Sequence, residues 1–200
     1  GKVNPLLIQS HLDFEQFSRN FNLSYFDNLT TVELQGDFGE PLMHPRIDNF
    51  LEFFSDMPKI ILVTNGSIRN ERYFQSLAKY QNLQIVFSVD GLDDTNHLYR
   101  IGSDYSKIMK NASAFINAGG YAIWKFVAFK HNEHQINKAK ELSIKMGFKE
   151  FELIHTREKN KWPVYVNGES KGYFLEPPSQ DTKIKRNFLD NKSTGIICRW

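Results

Sequence analysis

One segment of the sequence combines the end of an apolar strand, a glycine turn and a carboxylate. Residues 34–45 read Leu-Gln-Gly-Asp-Phe-Gly-Glu-Pro-Leu-Met-His-Pro, so that Gly39 and Glu40 follow the strand-like run Thr31–Leu34. Glycine lets a ligand approach the backbone closely, and a carboxylate accepts strong hydrogen bonds from an ammonium group. The segment therefore predicts a site for a small polar ligand that carries an amine. Alternatively, Glu40 lies near the start of the next helix and complements its dipole.

Two more strand-like runs end in polar turns at similar spacing. These turns read Val63-Thr64-Asn65-Gly66 and Phe87-Ser88-Val89-Asp90-Gly91. Ser88 and Asp90 alternate around Val89 and so point to the same side of a strand end, which suits two sugar hydroxyls but equally suits a capped turn. Asn65-Gly66 is also a common turn dipeptide. Arg100 follows in a polar loop, where a solvent-exposed arginine is the ordinary case.

The elements that position these residues alternate between strand and helix patterns. Strands begin near residues 31, 60, 85, 121 and 151, a repeat of roughly 30 residues per βα unit. This alternation predicts an α/β fold with a parallel sheet covered by helices, either open and doubly wound or curved into a barrel. The carboxyl ends of parallel strands share one edge of the sheet, where ligands bind in such folds. Beyond residue 157 the periodicity ends, and the remaining segment is expected to be a tail, a lid or the start of another unit.

Composition excludes several classes of protein. The net charge of +2 and the lack of a basic cluster argue against nucleic-acid binding. No apolar run approaches the ~20 residues of a membrane helix. A lone cysteine, Cys198, excludes an internal disulfide framework and fits a reducing, cytoplasmic compartment. The histidines follow no trusted metal-ligand spacing; those considered are His44, His97, His131 and His134.

Taken together, these motifs resemble the radical S-adenosylmethionine (radical SAM) enzymes over nearly all of residues 1–156. The resemblance implies a partial (βα) barrel and assigns S-adenosylmethionine contacts to this sequence. Gly39 and Glu40 match the positions that bind the methionine amino group, and Arg100 matches an arginine that reaches the cofactor carboxylate. The other matched residues are Thr64 and Asn65 at the third-strand exit and Ser88 and Asp90 at the ribose.

Two further segments resemble one branch of this family, which carries a C-terminal SPASM or twitch extension with auxiliary iron–sulfur clusters. These segments are residues 94–100 and 129–135, and Cys198 lies where such an extension would begin. The resemblance implies that residues 157–200 are a linker or the start of the extension, with Cys198 a possible auxiliary-cluster ligand. It also implies a peptide or protein substrate and an electron donor such as flavodoxin or ferredoxin.

One departure from the family is decisive for activity. Three cysteines in the order CxxxCxxC bind a 4Fe–4S cluster in these enzymes, and this sequence has none of the three. We therefore expect a fragment in which the first strand and the cluster loop lie upstream, and no turnover by this chain alone. In the intact family, the reduced cluster cleaves S-adenosylmethionine, and the resulting radical takes a hydrogen atom from the substrate. The alternatives are a cluster-free α/β domain that binds a nucleotide or a peptide, and an ordinary barrel hydrolase or isomerase.

Overall fold

Parallel strands and the helices that connect them make up most of the chain. The computed structural model describes residues 11–36, 39–156, 160–166 and 168–179, and the backbone alone of residues 195–199. The helices in these ranges are α1 (Phe14–Asn20), α2 (Ile47–Phe53), α3 (Glu71–Leu77), α4 (Asn96–Tyr99), α5 (Tyr105–Asn117) and α6 (Ile136–Met146). The strands are β1 (Thr31–Gln35), β2 (Ile60–Thr64), β3 (Leu83–Ser88), β4 (Tyr121–Ala128), β5 (Glu150–His155), β6 (Trp162–Val166), β7 (Glu169–Leu175) and β8 (Gly195–Arg199). No helix within these ranges is long and apolar enough to span a bilayer.

The main sheet is parallel throughout and has the order β5-β4-β3-β2-β1-β8. Strands β1 to β5 are the five predicted from the sequence, and the α/β prediction is confirmed. The sixth strand, β8, comes from the C-terminal segment and pairs with β1, so that Cys198 is the register partner of Leu34. The antiparallel pair β6–β7 was not predicted either. The prediction that residue 156 ends a first structural unit stays a prediction.

One face of the sheet packs against the helices through large aromatic side chains. Phe87 contacts Phe74 of α3, and Trp124 contacts Phe151 of the neighbouring strand β5. The indole of Trp124 is fully buried and donates a hydrogen bond to the carbonyl oxygen of Val89 at 2.9 Å. Burial of such side chains is the main source of stability, at about 25 cal/mol per Å² of apolar surface.

Helix starts follow local sequence signals closely. Asn70 and Asp104 accept hydrogen bonds from the first turns of α3 and α5. In the sequence, Ser10 with Asp13 resembles a capping box, but Ser10 lies outside the described residues. Asp13 is itself the N-cap of α1 and accepts from the backbone of Gln16. Because α3 follows β2 and α5 follows β3, the starts of these two helices and the ends of those strands share one side of the molecule.

Candidate functional site

The exit of β1 is shaped by two glycines and a capping carboxylate. A side chain at Gly36 would clash with the carbonyl oxygen of Gly39, so this close approach of backbone to backbone requires glycine. Glu40 is the N-cap of a short 3-10 turn, and its Oε1 accepts a hydrogen bond from the backbone of Leu42 at 3.2 Å. The capping role predicted as an alternative for Glu40 is therefore present.

The same carboxylate also joins β1 to the end of β2. Oε2 of Glu40 accepts from the backbone N–H of Asn65 at 2.7 Å. Burial raises the pKa of Glu40, and hydrogen bonds from Asn65, Thr64 and Leu42 act in the opposite sense. The positive charge of Arg100 also acts to lower this pKa. Glu40, the end of β2 and Arg100 therefore lie together at one edge of the sheet.

The side chains of Thr64 and Asn65 shape the turn that follows β2. The Thr64 hydroxyl accepts from the backbone of Gly66 at 2.9 Å. Oδ1 of Asn65 accepts from both the backbone and the hydroxyl of Ser67, at 2.8 and 2.7 Å. These bonds fix the backbone N–H of Asn65 in the direction of Glu40.

The end of β3 carries a buried ion pair. Asp90 is 0% exposed; its Oδ2 accepts from Nε of Arg100 at 2.5 Å, and its Oδ1 accepts from the backbone of Val127 at 2.6 Å. The Arg100 side chain is 27% exposed and lies over the ring of Tyr99. Ser88, which ends β3, is buried. Asp90 is thus a partner of Arg100, and direct contact with a ligand would require this ion pair to open.

Buried amides that sequence reasoning missed hold the strand ends together. Nδ2 of Asn132 donates to the carbonyl oxygens of Asp90 and Val127, at 2.8 and 3.0 Å. Asn96 accepts from the backbone of Asp90 at 2.9 Å, and Gln135 accepts from the backbone of Leu92 at 2.8 Å. All three lie in the segments 94–100 and 129–135 that carry the family resemblance, but an uncharged polar residue in a loop does not by itself predict such bonds.

The histidines of the described residues form no cluster that could bind a metal ion. His44 contacts the carbonyl oxygen of Leu12 through Nε2, and His131 stacks on the ring of Phe129. Burial lowers the pKa of His131, and the neighbouring His134 and His97 lower it further. Among the described residues, no three His, Cys, Asp or Glu side chains are grouped so as to hold a metal ion.

Comparisons with known proteins identify the fold but not a sequence family. No protein-family model and no curated protein sequence matches the chain. The chain is similar to the crystal structure of Streptococcus suis SuiB bound to S-adenosylmethionine, with 24% identity and a TM-score of 0.55. That match covers 62% of this chain and 29% of SuiB. A second SuiB crystal structure matches over 85% of this chain and 39% of SuiB, with 18% identity and a TM-score of 0.59.

A different protein, anSMEcpe with bound AdoMet, is similar over 72% of this chain and 41% of its own length. Its identity is 18% and its TM-score is 0.56. The chain therefore spans well under half the length of these proteins. The fold predicted from the resemblance, the partial α/β barrel of the radical SAM type, is confirmed.

Proposed function

We propose that this chain is part of a radical SAM enzyme that modifies a peptide or protein, and that it binds S-adenosylmethionine at the carboxyl ends of β1, β2 and β3. One observation carries the proposal. The carboxylate of Glu40, bonded to Asn65 at 2.7 Å, lies within electrostatic reach of Arg100 on a fold shared with AdoMet-bound proteins. One acidic and one basic group at the same edge are complementary to the ammonium and carboxylate of an amino acid.

The described contacts leave capacity for such a ligand. An ionised carboxylate has about four acceptor sites, and hydrogen bonds from Leu42, Asn65 and Thr64 leave about one for a ligand. Arginine carries five N–H donors, and Asp90 receives one of them from Arg100. We assign the methionine ammonium to Glu40 with Gly39 beside it, and the methionine carboxylate to Arg100.

The remaining predicted residues act around these two anchors. Thr64 and Asn65 form the turn that holds the Glu40 carboxylate in place. Ser88 lies at the end of β3, where the proposal places the ribose. Asp90 contributes by orienting Arg100 from its buried position. Each assignment within the site is part of the proposal.

The residues of this chain do not fit an iron–sulfur cluster. Such a cluster takes several cysteine thiolates, and the sequence has only Cys198. The proposal therefore places the 4Fe–4S ligands outside this sequence. With that cluster and a donor such as flavodoxin or ferredoxin, bound S-adenosylmethionine supplies hydrogen abstraction from a substrate. Structures of SuiB with precursor peptide SuiA and of anSMEcpe with Cp18Cys peptide support a peptide as the substrate. A role for Cys198 in an auxiliary cluster stays a prediction.

Replacing the ammonium-binding carboxylate tests the proposed site. We expect Glu40→Gln to weaken S-adenosylmethionine binding by at least about tenfold, since a hydrogen bond to a charged group contributes about 1.5–3 kcal/mol. Affinity is measured by titration calorimetry at neutral pH. Glu141→Gln on the exposed face of α6 is the matched control and should bind like the parent chain. Equal affinities for both variants would remove Glu40 from the site.

The single cysteine also favours a second candidate function, a cluster-free domain that binds a nucleotide or a peptide. The iron content of protein produced from the whole gene separates the two. At least four irons per chain after anaerobic reconstitution support the radical enzyme. Iron-free protein that still binds the nucleotide supports the second candidate.

A further inference from the structure

The face of the sheet turned away from the helices carries a row of polar residues. Trp124 and Phe151 are register partners on β4 and β5, and both pack on the helix side. Side chains alternate along a strand, so the next residues, Lys125 and Glu152, point to the opposite face. They are register partners too, and Lys125 also pairs in register with Ser88. Since neighbouring strands are about 4.8 Å apart, the three side chains form one row across β3, β4 and β5.

The two charges in this row interact but do not touch. Within the described residues, neither Lys125 nor Glu152 has an oppositely charged side-chain atom within 4.0 Å, and neither side chain forms a hydrogen bond. Burial raises the pKa of Glu152, and Lys125 is the foremost group that acts to lower it. Glu150 and Glu33 raise this pKa further. This face thus holds two half-buried charges of opposite sign that interact across more than 4.0 Å.

Both side chains are partly exposed and have no side-chain hydrogen bond within the described residues, so their hydrogen-bonding groups are available to a polar ligand. A ligand amine would pair with Glu152 but be repelled by Lys125. A ligand carboxylate would pair with Lys125 but be repelled by Glu152. An amide offers a carbonyl oxygen to accept from the ammonium and an N–H to donate to the carboxylate. The C=O and N–H of an amide point in different directions, so one amide can reach both the Lys125 ammonium and the Glu152 carboxylate.

We infer that Lys125 and Glu152 together bind an amide group of the peptide substrate, with the Ser88 hydroxyl beside them. The inference rests on the proposed function for the identity of the substrate as a peptide. Ser88 ends β3 at the edge where the cofactor is proposed to lie. The row therefore starts at the proposed cofactor site and continues across the polar face of the sheet. In this inference, Lys125 and Glu152 determine which group of the peptide binds beside the cofactor.

The experiment labels the glutamates of this chain with ¹³C and follows the NMR signal of the Glu152 carboxyl carbon during peptide titration. The signal is assigned by its loss in Glu152→Gln. The probes are four N-acetylated, C-amidated tripeptides, Ala-Xaa-Ala, with Xaa as Asn, Ala, Asp or Lys. We expect saturable shifts of the Glu152 signal with the Asn peptide. A comparable shift with the Ala peptide identifies the main-chain amide as the group bound, and a much weaker one identifies the side-chain amide. Stronger binding of the Asp or Lys peptide, or no saturable shift with any peptide, overturns the inference.

Matched variants show whether the row itself binds the amide. Lys125→Met should weaken binding at least tenfold, and Lys125→Arg should restore part of it. Lys130→Met is the control, because Lys130 already pairs with Glu176 at 2.9 Å away from the row. Equal loss in Lys125→Met and Lys130→Met contradicts the inference. Titrating S-adenosylmethionine into the same samples separates this test from that of the proposed function. Peptide binding without S-adenosylmethionine binding rejects only the proposed function. S-adenosylmethionine binding without peptide binding rejects only the amide site.

Discussion

In the proposed site, the Glu40 carboxylate serves both structure and ligand binding. Its bonds to Leu42 and Asn65 cap a turn and connect two strand ends. The capping and ligand-binding interpretations were alternatives in the sequence, yet they are compatible, because a carboxylate fixed by main-chain bonds is better oriented for a ligand. A glutamate without these bonds would lose side-chain entropy when it binds a ligand, and that loss would lower the affinity.

The pH dependence of S-adenosylmethionine affinity tests the charge of Glu40. The proposed ligand ammonium requires ionised Glu40, and burial raises the pKa of that group above its ordinary value of 4.5. Affinity should therefore rise with pH through the raised pKa, reach a plateau above it, and fall on acidification. Calorimetric titrations at a series of pH values measure this profile. Glu40→Gln should flatten the profile, and an unchanged slope in that variant would assign the titration to another group.

The Asp90–Arg100 pair predicts a stability defect of its own. Arg100→Met leaves a fully buried carboxylate without its cation, and breaking a buried pair costs about 3–5 kcal/mol. Burial raises the pKa of Asp90, so the folded state of the variant binds a proton that the unfolded state releases. Its stability should therefore fall as pH rises from the ordinary carboxyl pKa to the raised one.

Urea unfolding over this pH range measures both effects. Arg72→Met, on the exposed side of α3, is the control and should change stability by less than about 0.5 kcal/mol. A pH-independent loss in Arg100→Met equal to that of the control would show that the pair does not contribute.

At the scale of elements, the sequence predicts the parts with strong apolar periodicity. Strands β1 to β5 were found because runs such as Ile60-Ile61-Leu62-Val63 are apolar and β-branched. The four-residue helix α4 is too short to show periodicity. The hairpin β6–β7 was missed although the dipeptide Asn167-Gly168 between its strands is a strong hairpin signal. Strand β8 pairs with β1 from more than 150 residues away, and no local pattern encodes such a partner.

Asn132 connects the ends of β3 and β4, and its removal should destabilise both. Its side chain makes three hydrogen bonds, to Phe129, Asp90 and Val127, and is completely buried. We expect Asn132→Ala to lower the free energy of unfolding by about 2–4 kcal/mol. The backbone groups that bond to Asn132 would stay buried but lose their hydrogen-bond partner. Asn137→Ala on the exposed side of α6 should change it by less than about 0.5 kcal/mol. Denaturant unfolding of both variants measures the difference, and equal stabilities would contradict the connecting role.

For the molecule as a whole, the sequence predicted where the site residues meet but not how they are used. Parallel strands place Glu40, Asn65 and Asp90 at one edge regardless of side-chain detail. Asp90 pairs with Arg100, 10 residues further along the chain, and its backbone carbonyl accepts from Asn132, 42 residues away, so the burial of this pair depends on packing between distant segments. Such packing leaves no repeat or spacing in a single sequence.

The hairpin β6–β7 packs beside this edge, on the loop that follows β4. Leu175 and Val164 are buried against Phe129, and the Tyr173 hydroxyl donates to the carbonyl oxygen of Leu98 at 2.8 Å. This cluster is separate from the main core. The hairpin should therefore be able to open without unfolding the sheet, as elements with few buried contacts do.

Leu175→Ala tests this independence. Truncation of a buried leucine costs about 2–5 kcal/mol, and here the loss should fall on the hairpin alone, because Leu175 contacts only the smaller cluster. Hydrogen exchange followed by mass spectrometry should show faster exchange across residues 162–175 and unchanged protection in β2 and β3. Phe174→Ala is the control, since that neighbouring side chain is 52% exposed and should leave hairpin protection nearly unchanged. Equal acceleration in β3 and the hairpin would mean that the two unfold as one cooperative unit. The hairpin would then be an integral part of the fold that forms the proposed cofactor site.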